Sequence, residues 1–264
     1  MRYLFNLPDI PERSLKPRKF GLTMVMDKGL SLRGIEDMLE VSEPYIDIVK
    51  LGFGTSYVTP GIEDKLELYR DSGIPTYFGG TLFEAFIVRN RFEDFVRLLE
   101  HYDMEYAEVS DGCLELDHDE KCEYIRKLSK YVTVLSEVGS KDAAKILPPY
   151  KWIRLMRTEL DAGAWKVIAE ARESGTVGIY RDSGEVRSGL VQEILTQIPE
   201  ERIIWEAPQK EQQVYFIKMI GANVNLGNIA PTEVVPLETL RLGLRGDTFD
   251  YFLQRQDKLS ISKD

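Results

Sequence analysis

Cysteine and histidine are scarce in this chain of 264 residues, which has two of each: Cys113, Cys122, His101 and His118. Two cysteines without CxxC spacing are too few for a disulfide framework, so we expect two reduced thiols. Neither histidine lies near the C-terminal end of a run that predicts a strand, which disfavours a histidine-rich zinc site. We expect both histidines on the surface or in loops.

Positive charge and long apolar runs are also lacking. The formal net charge is −10 and the sequence pI is about 5.0, whereas general nucleic-acid and membrane-surface binders need a positive field. No apolar run approaches the ~20 residues of a membrane span, and the N-terminus has no uninterrupted apolar stretch of secretory length. The sequence therefore predicts a cytoplasmic protein that binds neither nucleic acid nor membrane.

The chain does contain short apolar runs that alternate about eight times with segments of helical spacing. The runs are rich in Val, Ile, Tyr or Phe and cover residues 20–27, 46–52, 75–81, 106–112, 132–139, 165–172, 202–208 and 222–227. Repeated strand-then-helix units imply parallel strands, because consecutive parallel strands need a long crossover. Eight units in a chain near the ~250 residues typical of this fold predict an α/β protein, a single (β/α)8 TIM barrel.

We predict one domain over residues 1–264, with an N-terminal arm at 1–19 and a polar tail at 253–264. The arm is either peripheral, a cap on the bottom of the barrel or a contact to a neighbouring subunit. Its prolines fit an extended path.

Acidic side chains follow the predicted strands at their carboxyl ends, where barrel enzymes place their active sites. Inward carboxylates are costly unless a cation or a metal compensates them, and hard oxygen ligands favour Mg²⁺. We therefore predict a Mg²⁺ site made by Asp27, Glu137, Glu170 and Glu206. Glu108 and Asp111 are either further ligands or structural partners of basic residues.

Two lysines belong to the same end of the barrel. Lys50 ends the second strand, and is either a substrate-binding or Schiff-base lysine or the ion-pair partner of Asp27 or Glu137. Lys141 lies on a short glycine-bearing loop after the fifth strand, and is either a general acid or a solvated loop lysine.

Phosphate binding is expected at the loops after the last strands of a barrel. The segment 225–234 contains Asn225, Gly227 and Asn228, and its glycine allows close backbone approach. Arg172, after the sixth strand, suits phosphate, sulfonate and carboxylate groups. We predict that these residues bind substrate.

Seven segments at successive strand ends together resemble the phosphosulfolactate synthase family. They are KLGFGTS at 50–56, GGTLFE at 79–84, AEVSDG at 107–112, SEVGSKD at 136–142, EARESG at 170–175, WEAPQK at 205–210 and NVNLGNI at 223–229. The resemblance runs from about Phe20 to Phe249.

The resemblance implies a Mg²⁺-dependent lyase that adds sulfite to phosphoenolpyruvate and gives (2R)-phospho-3-sulfolactate, as in the first step of coenzyme M synthesis or in sulfolactate synthesis. It also implies a homo-oligomer of barrels. The family's SEVG-x-KD lysine is the proposed general acid, which corresponds to Lys141. Arg172 and the Gly227 loop would then hold phosphate, and Lys50 would hold sulfite or the substrate carboxylate.

Two other functions remain open. A Schiff-base aldolase on the same barrel would use Lys50 or Lys141. A non-catalytic relative, linked to heat tolerance as in a plant branch of the family, would have no need of a charged barrel mouth.

Overall fold

A computed structural model of the protein describes residues 7–139, 147–172 and 174–253. The eight predicted strands are present, and all ladders between them are parallel. Their bounds are β1 Thr23–Asp27, β2 Ile48–Leu51, β3 Thr76–Phe78, β4 Tyr106–Val109, β5 Thr133–Val138, β6 Lys166–Ala169, β7 Ile203–Glu206 and β8 Leu226–Ile229.

Within the described residues, ten α-helices connect and flank these strands. They are α1 Leu32–Ser42, α2 Thr55–Val58, α3 Ile62–Asp71, α4 Gly80–Ile87, α5 Phe92–His101, α6 His118–Leu128, α7 Pro149–Asp161, α8 Ser188–Leu195, α9 Lys210–Met219 and α10 Val234–Arg241. None of the helices in this part of the chain is long and apolar enough to cross a membrane.

The strands form one sheet in the order β3-β2-β1-β8-β7-β6-β5-β4. β3 and β4 also lie side by side, so the sheet curls into a nearly closed barrel with helices between the strands. The predicted (β/α)8 fold is confirmed. Every strand residue is buried except the first residue of β3, of β4 and of β5, as expected when helices cover the outer face and side chains fill the interior.

The described part of the N-terminal arm packs against the N-terminal ends of the strands, as one of the predicted alternatives had it. The Arg13 guanidinium donates to the Glu238 carboxylate of α10 at 3.0 Å and to the Ala222 carbonyl at 3.1 Å. Arg18 pairs with Asp47 at 3.0 Å. These contacts close the bottom of the barrel.

The predicted boundary of strand eight is wrong, and so is the predicted position of Asn225 at the mouth. β8 begins at Leu226, so Asn225 lies at the bottom of the barrel. Its Oδ1 accepts from the Leu22 amide at 3.1 Å, and its Nδ2 donates to the Ile203 carbonyl at 2.9 Å. The apolar alternation of residues 222–226 resembles a strand, but these asparagine bonds join neighbouring strand starts.

Candidate active site

Four glutamates and one lysine converge at the carboxyl end of the barrel. Lys50 comes from β2, Glu108 from β4, Glu137 from β5 and Glu206 from β7, while Glu170 directly follows β6. All five side chains are buried and line one cavity of about 240 Å³. Their positions agree with the two-residue alternation of strands, which sends these side chains inward.

The Lys50 ammonium lies among three of the carboxylates. Its Nζ is 3.0 Å from Glu108 Oε2, 3.4 Å from Glu137 Oε2 and 3.5 Å from Glu206 Oε1. Burial by itself would lower the pKa of Lys50, but the charges of Glu108, Glu137 and Glu206 raise this pKa well above its ordinary value. Lys50 is therefore a permanent cation here, and of the alternatives left open the ion pair with Glu137 is present.

Backbone amides fix the carboxylates from the other side. Glu206 Oε2 accepts from the Ala171 amide at 2.9 Å, and Glu108 Oε1 accepts from the Gly80 amide at 2.7 Å. A Cβ at Gly80 would lie 2.6 Å from that Glu108 oxygen and would collide with the Ser110 hydroxyl. Only glycine brings the first turn of α4 close enough for this bond.

Glu137, Glu170 and Glu206 form a group suited to a metal ion. One carboxylate oxygen from each lies within 4.8 Å of the others. This separation is close to the roughly 4.2 Å between ligands on opposite sides of a Mg²⁺ ion. The described cavity lining holds four carboxylates against two basic side chains, Lys50 and Arg172, which leaves a formal excess of two negative charges. The donor set and the charge both fit Mg²⁺.

Burial among other carboxylates raises the pKa of Glu206. Burial raises its pKa to about 7; Lys50 opposes the rise, and the charge of Glu137 adds to it. The group is therefore half protonated near neutral pH unless a further cation enters the cavity.

Asn228 reaches the same cavity through an irregularity in β8. The register of β8 against β1 shifts at this point, and Asn228 has a left-handed φ of 55°. A bulge of this kind redirects a side chain. The Asn228 side chain is buried and lines the cavity, and its Oδ1 has no hydrogen-bond partner among the described residues. A buried unpaired acceptor is costly, so this oxygen is suited to a bound ligand.

Of two other predicted substrate residues, Arg172 lines the cavity and Gly227 does not. Arg172, also at a left-handed φ of 56°, lines the cavity. Gly227 lies within β8, where a Cβ would collide with the Met24 methyl group. The space at Gly227 is thus filled by the Met24 side chain, and the phosphate contact of this glycine stays a prediction. Lys141 lies outside the described residues.

Asp27 does not join the other predicted metal ligands. It follows Met26, which lines the cavity, and so it points outward to α3. Its Oδ2 is 2.7 Å from Lys65 Nζ and accepts from the Tyr69 hydroxyl at 2.8 Å. Its Oδ1 accepts from two amides of the following turn. The structure therefore removes Asp27 from the predicted metal site, because strand alternation places it on the opposite face.

The family profile of (2R)-phospho-3-sulfolactate synthase (ComA) matches residues 11–247. The chain belongs to the phosphosulfolactate synthase family. It is 44% identical to a phosphosulfolactate synthase of Methanothermobacter thermautotrophicus, over 90% of this chain and 95% of that protein. It is 43% identical to one of Bacillus subtilis, over 91% and 97%. The resemblance found in the sequence is confirmed, and membership of this family indicates an enzyme.

Other similarities are more distant. Protein HEAT-STRESS-ASSOCIATED 32 of Arabidopsis thaliana is 22% identical over 87% of this chain and 88% of that protein. Among solved structures, 3-hexulose-6-phosphate synthase of Salmonella typhimurium has a TM-score of 0.54 at 14% identity, over 88% of this chain and 99% of that one. At this identity the structural likeness shows the barrel fold alone.

Sequence reasoning on this synthase-family chain missed three features of the cavity. The glycine pair 79–80 in the sequence indicates a close backbone approach, which the structure places between Gly80 and Glu108. No sequence pattern predicts that Phe53 and Cys113 line the cavity, because both lie in loops. The bulge at Asn228 had a weak signal, since asparagine tolerates a left-handed φ better than most residues.

We predict that Glu206 makes the metal-free protein less stable as pH rises from about 4.5 to about 7. Its pKa is about 7 in the folded protein and near 4.5 when unfolded, so in this range the folded state binds more protons and loses stability with rising pH. Urea unfolding in EDTA at several pH values should show a shallower decline for Glu206→Gln than for the wild type. Glu193→Gln, an exposed change on α8, is the control. Equal declines in wild type and Glu206→Gln would contradict the assignment.

Proposed function

We propose that this enzyme adds sulfite to phosphoenolpyruvate, with Mg²⁺ as cofactor, and releases (2R)-phospho-3-sulfolactate. The observation that carries the proposal is the family match over residues 11–247 together with the convergence of its strand-end glutamates on one cavity. The sulfite sulfur forms a bond to the methylene carbon of phosphoenolpyruvate. The electron pair of the double bond moves toward the carboxylate, and a proton is then added to the carbon that bears the phosphate.

The charges of the cavity support these roles. Glu137, Glu170 and Glu206 would hold Mg²⁺, which when bound stabilises negative charge that develops on the substrate carboxylate. Lys50 and Arg172 supply positive charge in the same cavity, and we propose that they bind the anionic groups of the substrates: Lys50 the sulfite or the carboxylate, and Arg172 the phosphate. Without such charge an anionic substrate would be repelled by the glutamates.

Lys141 is the proposed proton donor. It follows β5 by three residues in the sequence, and β5 carries Glu137, which lines the cavity. A lysine that donates from one side of the substrate would fix the configuration of the new stereocentre.

The Schiff-base alternative is less well supported at Lys50. A Schiff base needs a neutral amine, usually obtained by lowering the lysine pKa, whereas the surrounding carboxylates raise the pKa of Lys50. The non-catalytic alternative leaves the buried glutamates unexplained, because uncompensated buried charge reduces stability.

We predict that purified protein forms phosphosulfolactate from phosphoenolpyruvate and sulfite, that EDTA stops the reaction, and that added Mg²⁺ restores it. Lys141→Ala should lower kcat by about 100-fold or more, the contribution typical of a general acid, with phosphoenolpyruvate binding retained. Product can be followed by ³¹P NMR and substrate binding by calorimetry.

Lys145→Ala changes another lysine of the same segment and is the matched control. Full activity of Lys141→Ala would remove this lysine from the mechanism. Activity that persists in EDTA, with a substrate adduct trapped by borohydride, would favour the aldolase.

We propose that Asn228 completes the ligand site, with Nδ2 donating to a substrate oxygen or Oδ1 accepting from the cation's water. Asn228→Ala should lower kcat/KM for phosphoenolpyruvate about tenfold, equivalent to one buried hydrogen bond to a charged group. Asn90→Ala replaces an exposed asparagine with a similar φ of 56° and therefore controls for the backbone strain. Equal kinetics of the two variants would show that the Asn228 side chain has no ligand.

We also propose that the enzyme is a homo-oligomer. Beside the mouth lies a groove of about 400 Å³ lined by Tyr57, Leu82, Phe86 and Arg89, and Tyr57 has 82% of its surface exposed. Large exposed apolar groups at a groove are typical of protein interfaces. Light scattering should give a multiple of 30.3 kDa, and Tyr57→Asp should lower it, unlike Tyr131→Asp at another exposed tyrosine. A monomeric wild type would refute the proposal.

The cytoplasmic location stays a prediction.

A further inference from the structure

A second group of buried charges lies outside the barrel wall, on the opposite side of β5 from the cavity. Lys121 of α6 and Glu159 of α7 are both completely buried, and Lys121 Nζ lies 3.0 Å from Glu159 Oε1. The same ammonium donates to the Glu137 carbonyl at 2.6 Å and to Asp111 Oδ1 at 2.9 Å. Lys121 thus contacts the backbone of a glutamate whose side chain faces the cavity.

Glu159 binds Ser136, the residue before Glu137 in β5. The Ser136 hydroxyl donates to Glu159 Oε2 at 2.6 Å, so Ser136 points outward and Glu137 inward, as strand alternation requires. Two consecutive residues of β5 are therefore fixed by one ion pair, Ser136 through its side chain and Glu137 through its carbonyl.

The next residues connect this strand end to a second glutamate of the cavity. A Cβ at Gly139 would lie 2.5 Å from Glu170 Cβ and 2.8 Å from the Trp152 ring. The end of β5 is therefore packed tightly against Glu170, and a displacement of this strand end would move both Glu137 and Glu170.

Stability alone does not explain the pair. Replacing a buried ion pair by apolar residues of similar volume is often neutral or stabilising, because the desolvation of two charges offsets their attraction. What an apolar pair cannot provide is a directed hydrogen bond to the Glu137 carbonyl. Outer contacts of this kind commonly orient metal ligands.

We propose that Lys121 and Glu159 are positioning residues that fix the carboxyl end of β5 and so place the Glu137 carboxylate for cation binding. The inference rests on the proposed cation site and adds to it residues that contact neither substrate nor metal. It requires that loss of the pair weakens cation binding while the barrel stays folded.

The decisive variant is the double change Lys121→Met with Glu159→Leu, which removes both fully buried charges. Asp111 loses its contact to Lys121, but its carboxylate is partly exposed and stays solvated. We expect thermal unfolding close to the wild type and a loss of about 10- to 100-fold in Mn²⁺ affinity, measured by calorimetry on substrate-free protein. In kinetics, the Mg²⁺ concentration for half-maximal activity should rise in proportion. The matched control is Arg13→Met with Glu238→Leu, which removes an ion pair at the bottom of the barrel whose side chains are 8% and 6% exposed. This pair lies at the opposite end from the cavity, so Mn²⁺ affinity should stay unchanged.

If the double variant fails to fold, Ser136→Ala gives the answer, because it removes the hydrogen bond to Glu159 and keeps both charges. It should weaken Mn²⁺ binding severalfold. The inference is overturned if the folded double variant binds Mn²⁺ as tightly as the wild type. If the double variant does not fold, wild-type affinity in Ser136→Ala overturns it. Either result leaves the proposed function intact. Absence of Mn²⁺ binding to the wild type overturns the cation site and this inference with it.

Discussion

The mutual repulsion of buried carboxylates governs the mouth of this barrel, and the Lys50 ammonium is the group that offsets it. Lys50 lies within 3.5 Å of three glutamates, and the amides of Gly80 and Ala171 hold two of them from behind. The compensation is incomplete, since the pKa of Glu206 is still raised to about 7. Fixed negative charge in excess of the local cations is what a divalent ion would neutralise.

β5 is the strand on which the two charged regions meet. Glu137 faces the cavity, Ser136 faces the helices, and Lys121 donates to the Glu137 carbonyl. In our proposal the interior group binds cation and substrate, whereas the exterior group fixes the position of the Glu137 carboxylate. Burying the Lys121–Glu159 pair costs desolvation free energy and adds little net stability. We therefore attribute the pair to the positioning of Glu137 rather than to stability.

Much of this could be read from the sequence, because a barrel repeats one simple pattern. Strand alternation places Glu137, Glu170 and Glu206 inward at equivalent strand ends, and a local pattern is enough to find them. Asp27 was misassigned because it ends its strand and alternation was not applied to it; it follows the inward Met26 and pairs with Lys65. Asn225 was misplaced because the start of β8 depends on asparagine bonds to other strands. Contacts between α6, α7 and β5 involve residues far apart in the sequence, such as Lys121 and Glu159 at 38 positions, and no local pattern reveals them.

The closed bottom of the barrel has a consequence for synthesis on the ribosome. Arg13 binds groups at Ala222 and Glu238, and β1 pairs with β8, so the first segments of the chain find their partners among the last. β1 can pair with β2 early, but Arg13 and the other edge of β1 find their partners only when nearly the whole polypeptide has emerged. Such distant pairing slows folding, and one edge of the first strand stays open until β8 has been made.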